Sequence, residues 1–131
     1  MSESFIDIRI TGLDADATQQ SPTSRGYRLT YFSLSEAPDG VWCQIFEAER
    51  QFARHSMWKS AWIEGASIVV ECIPEDLEKY HLEDLKVDVA NSNAKFRDLL
   101  VNEQRKAEAA QQAEQRERER IEKIGQRLKF D

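Results

Sequence analysis

Cysteine is scarce in this chain: Cys43 and Cys72 are the only two in 131 residues. They lie far apart, with no CxxC and no metal-like spacing, which argues against a disulfide scaffold or zinc ribbon and leaves two reduced thiols in a core. Glycine is also thin. Gly12, Gly26, Gly40, Gly65 and Gly125 are scattered, so no phosphate-cradling loop is present, and G-x-S-x-G is missing as well. Nowhere do 18 apolar residues follow one another, and the opening "MSESFIDIRI" has no signal-type apolar core. The expectation is a soluble, cytoplasmic protein that binds no membrane.

Histidine is nearly missing too, with only His55 and His81. Glu78 and His81 make one Glu-x-x-His pair on an expected helix, which is half of a carboxylate di-iron site. A full site needs two such pairs and two further carboxylates from other helices, and the chain has no second pair. Cys43 and His55 are the other pair of residue types suited to catalysis, as nucleophile and base. A useful thiolate needs an electropositive, accessible setting, whereas Cys43 sits between Trp42 and Ile45 on an amphipathic stretch. No catalytic, cofactor-binding or metal-binding residue is therefore assigned, and the chain is expected not to be an enzyme.

What is abundant is charge, at 32% of residues against 40% hydrophobic. Globular domains average roughly 25% and 45–50%. Residues 1–99 carry a net −7 and residues 100–131 a net +1. Between Glu64 and Asp88 eight acids face only Lys79 and Lys86. An acidic body repels nucleic acid and anionic membrane and leaves a basic partner open.

The hydrophobic pattern predicts an α+β fold. "FIDIRI" alternates like a half-buried strand with Ile6, Ile8 and Ile10 on one face, and "TGLDADATQQSPTSRG" reads as a long mobile loop. "YRLTYFSLS" is the second strand. It runs into an amphipathic helix with Ser33 or Ser35 as cap, Pro38 in its first turn, and Val41, Trp42, Ile45, Phe46, Glu49 and Phe52 at helical spacing. "MWKSAWIEGASIVVECI" reads as a hairpin turning at Glu64-Gly65-Ala66. Its second strand is apolar on both faces and so belongs in the middle of the sheet. "PEDLEKY" then opens another helix. The predicted architecture is a four-stranded, mainly antiparallel sheet with two packed helices in ββαββα order, the last helix extended into a long charged C-terminal helix.

From Glu83 nothing must stop that helix before Gly125, although "ANSNA" at 90–94 is the best place for a kink. At about 100° per residue, Leu85, Val89, Phe96, Leu99, Ala107, Ala110, Ile121, Ile124 and Leu128 share one stripe. The first part is apolar enough to cover a sheet; from Val101 to Arg120 it holds only alanines, with glutamates on the same face. Glu114–Arg118, Glu119–Lys123 and Arg118–Glu122 are spaced for local ion pairs worth about 0.2–0.5 kcal/mol each. The chain thus divides into an α+β domain, 1–101, and a charged helical extension, 102–131.

Ile121, Ile124 and Leu128 stand beyond this charged spacer at i, i+3 and i+7. Full burial of each is worth roughly 1.5–3 kcal/mol, so they read as an anchor for a protein partner or for a second copy. Eleven-residue spacings along the stripe suit nearly straight helix pairing rather than a heptad coil. Bases on the tail interleave with glutamates and cancel the field a phosphate backbone requires, which argues against nucleic acid. Trp58 and Trp62, expected on one face of one strand, form a second candidate partner-binding patch. The predicted function is a non-enzymatic interaction or assembly module that self-associates through its C-terminal helix, with an inhibitor, immunity-type or accessory role on a basic partner in the same class. The alternative is a small enzyme or ligand-binding domain with a pocket between the sheet and the first helix.

Overall fold

A computed structural model of the chain describes residues 5–23 and 25–130. The element order is β1 (Ile10–Gln20), β2 (Arg28–Leu34), α1 (Gly40–Arg50), β3 (Ala61–Glu64), β4 (Ser67–Cys72), a 3-10 turn (Pro74–Asp76), a π-helical turn (Leu77–His81) and α2 (Leu82–Arg127). The fold is the α+β, ββαββα architecture expected, with a four-stranded antiparallel sheet in the order β1-β2-β4-β3. The described residues up to Arg97 make up a compact body, and a second unit begins at Asp98.

The body's core follows from register. Thr30 and Phe32 of β2 lie opposite Val70 and Ile68 of β4, and all four are buried. Ala61 and Ile63 of β3 continue the same face. Val69 is also wholly buried, so β4 is covered on both faces, as a central strand should be. Trp42, Phe46 and Arg50 recur at every fourth residue as the buried side of α1. Leu85, Asp88, Val89, Ser92, Asn93 and Phe96 do the same for the body segment of α2.

Several sequence expectations are corrected. "FIDIRI" is not a strand before Ile10, because a side chain takes the backbone of Ile8 in place of a neighbouring strand: Asn93 Oδ1 accepts from Ile8 N at 3.0 Å and Asn93 Nδ2 donates to Ile8 O at 2.9 Å. The stretch read as a mobile loop instead forms most of β1. Its polar, non-alternating sequence fits an exposed edge strand whose register shifts between Ile10 and Gly12 and again between Asp14 and Gln19.

The cap of α1 is Asp39, not Ser33 or Ser35. Its Oδ1 accepts from Val41 N at 2.7 Å, while Ser35 exchanges hydrogen bonds with the backbone of Arg9. At the other end α1 stops at Arg50, leaving Phe52 outside it and exposed, and Trp58 Nε1 donates to Arg50 O at 3.1 Å.

The kink expected at 90–94 is not there; α2 passes through unbroken. Ser92 Oγ is satisfied inside the helix by Asp88 O at 2.7 Å, and Asn93 finds partners on Ile8 and Trp42. With their side chains engaged, neither residue competes for the helical backbone. Gly125 also lies inside α2, which ends at Arg127. Among the described residues no helix is long and apolar enough to cross a membrane.

Candidate functional site

The two tryptophans do not form a strand-face pair. Only Trp62 is in β3; Trp58 belongs to the preceding loop. Trp62 lies opposite Val69, itself opposite Tyr31, so it covers the sheet face turned away from the helices, and its Nε1 donates to Glu64 at 2.7 Å. Trp58 is half-buried and held as a lid over two cations. The Arg50 guanidinium stacks 3.8 Å from its ring centroid and that of Arg54 4.8 Å away.

Beneath Trp58 lies a charge cluster. Asp88 is fully buried and pairs with Arg50 Nη1 at 2.7 Å and with Arg54 Nη2. Arg50 also donates to Lys59 O. Burial pulls the Arg50 guanidinium below its ordinary pKa, and Asp88 works against that fall. A buried pair of this kind joins α1 to α2. Its signal was present in the sequence: a lone base on the apolar stripe of α1 and a lone acid on that of α2.

His55 is exposed and its ring is fixed at both nitrogens. Nδ1 accepts from Met57 N at 3.1 Å, so the proton of the neutral ring sits on Nε2, 2.6 Å from Asp84 Oδ2. Cys43 has a different setting. Its thiol pKa is raised by burial and by Glu47 and Asp39 nearby, the reverse of what activates a nucleophile.

Glu78 and His81 part company in the π turn: Glu78 is exposed and His81 is buried. The His81 Nε2 atom has no hydrogen-bond partner, and burial lowers its pKa despite the opposing charges of Asp76 and Asp84. Among the described residues no three His, Cys, Asp or Glu side chains converge as metal ligands do.

The body also carries an open trough between β1 and the start of the C-terminal helix. One part, of about 500 Å³, is lined by Ile10, Leu13, Phe32, Leu77, Leu82 and, at its polar rim, Glu78 and Lys86. A second part, of about 410 Å³, shares Ile10 and Lys86 and continues along Ile8, Val89 and Ala90. Leu77 and Leu82 reach it because the π turn spans five residues, with Leu82 N bonded to Leu77 O. This trough could not be foreseen from local pattern, since one wall comes from the segment read as a loop. On the side where the alternative pocket was expected, Trp42 and Phe46 fill the space under α1 and have no exposed surface.

The C-terminal unit is one helix to Arg127 followed by 128–130, and among the described residues from Val101 onward only Ile124 is less than exposed. Glu114 and Arg118 pair as expected at 3.8 Å. Glu117 pairs with Arg120, and Glu119 accepts from Gln115 at 3.2 Å. Ile121, Leu128 and Phe130 are 57%, 54% and 85% exposed. Comparison with protein-family models, curated proteins and solved structures finds no match to this chain.

Proposed function

We propose that the protein is a non-enzymatic assembly module that associates with itself through its C-terminal helix. The carrying observation is the placement of Ile121, Ile124 and Leu128, with Phe130, at the end of a helix otherwise covered by charge. Local ion pairs and strong helix formers keep such a helix formed in water. They give no reason for four large apolar side chains at its end, whereas burial against a second chain does. The acidic body suits the same role, because its charge discourages non-specific contact with nucleic acid and favours surfaces that carry bases.

Sedimentation of the full chain beside an Ile121→Asp/Ile124→Asp/Leu128→Asp variant tests this reading. The parent should sediment as a dimer or larger, and the variant as a folded monomer. Equal monomeric behaviour of both would remove self-association.

A further inference from the structure

We infer that two copies of the chain pair their C-terminal helices antiparallel, with the two-fold axis between residues 111 and 112, so that Ile124 of each helix packs on Leu99 of the other. This rests on the self-association reading and adds the direction and register of the pairing.

Spacing selects the seam. Positions 99, 103, 106, 110, 113, 117, 120 and 124 follow one another along α2 in alternating steps of four and three, the spacing that lets two helices face each other over several turns. Turned antiparallel about that axis, Leu99 meets Ile124 and Ala110 meets Ala113, each contact occurring twice. Leu99 is 36% exposed and Ile121 57%. Ile121 and Ile124 straddle the opposing Leu99, so the apolar side chains at the two ends of the charged spacer cover one another. The alanines between them let the backbones approach closely.

Charge fixes the direction. The other seam positions hold Glu103, Lys106, Glu117 and Arg120. In the antiparallel register Glu103 faces Arg120 and Lys106 faces Glu117, so every charge on the seam meets its opposite. In a parallel, in-register pair each of the four would face its own copy, like charge on like charge. Within one chain Arg120 Nε donates to Glu117 at 3.0 Å, whereas among the described residues Glu103 and Lys106 have no ion-pair partner. Pairing joins the four into a quartet of alternating sign. Glu114, at the edge of the seam, stands opposite Ala109 and pairs with Arg118 of its own helix, so it adds no like-charge contact. The charges select the orientation, and Leu99, Ile121 and Ile124 supply the burial.

Full-length variants test the register through the concentration at which the chain associates. Lys106→Glu puts like charges opposite each other at both copies of that contact and should weaken association about tenfold or more. Adding Glu117→Lys restores opposite signs and should recover most of the loss. Lys123→Glu makes the same change of charge away from the seam and should leave association as in the parent. Parallel helices would be indifferent to all three, because like already faces like in each. If Lys106→Glu associates as the parent does, if Glu117→Lys does not rescue it, or if Lys123→Glu weakens association equally, the antiparallel register is wrong while self-association stands. If the parent stays monomeric at every concentration, the self-association reading fails and the register with it.

Discussion

Asn93 and Ile8 are joined by a two-bond clamp, the Asn93 amide accepting from Ile8 N at 3.0 Å and donating to Ile8 O at 2.9 Å. The same Oδ1 accepts from Trp42 Nε1 at 2.9 Å, so one buried side chain binds the segment before β1, helix α1 and helix α2. Asn93→Ala leaves three buried polar groups without partners and should cost about 2–4 kcal/mol in denaturant unfolding. Asn93→Asp keeps the acceptor but cannot donate to Ile8 O, and should fall between. A loss under about 0.5 kcal/mol for the alanine variant would mean that the clamp is dispensable.

The Arg50–Asp88–Arg54 cluster makes an ordered pair of predictions. Asp88→Ala strands Arg50, whose side chain is 5% exposed, and should cost about 3–5 kcal/mol. Arg54 is more open, at 36%, and Arg54→Ala should cost about 1 kcal/mol or less. Equal losses in urea titrations would show that the buried charge is not what makes Asp88 necessary.

Acid sensitivity follows from His81. Its folded pKa lies below the ordinary 6.5 because burial disfavours the imidazolium. The unfolded chain therefore binds a proton first as pH falls, so the contribution is complete above about pH 6.5 and is lost progressively below it, levelling out under the folded pKa. His81→Gln should remove that part of the slope when unfolding free energy is measured between neutral pH and pH 5. An unchanged slope would assign the acid sensitivity to other groups.

Gly125 offers a test of the helix itself. It lies inside α2 without a positive φ, and a methyl group there meets nothing within 4 Å. Gly125→Ala should stabilise the last turns by about 0.5–1 kcal/mol, seen as slower amide exchange over 121–127. Unaltered exchange would mean that the helix has frayed before this point.

The architecture was legible in the sequence because its strongest signals were local. Helical spacing of Trp42 and Phe46 and the turn at Gly65, with φ +58°, each mark an element without reference to the rest of the chain. Failures came where a partner distant in sequence decided the outcome. Asn93 and Ser92 read as helix breakers until Ile8 and Trp42 supply partners for the one and Asp88 for the other. β1 lacks alternation because an edge strand with shifted register has no buried face to enforce it. Trp58 and Trp62 looked like strand neighbours, but Trp58 is drawn out of the strand by Arg50. The trough was invisible for the same reason as β1, whereas Ile121, Ile124 and Leu128 could be singled out because amphipathic spacing needs no tertiary information.

Light scattering of the intact chain across a concentration series, beside a chain ending at Asn102, measures assembly most directly. The intact chain should move from monomer towards twice that mass as concentration rises, with the shorter chain folded and monomeric throughout. Monomer mass for the intact chain at every concentration, or unchanged association after the tail is removed, would overturn self-assembly through the C-terminal helix.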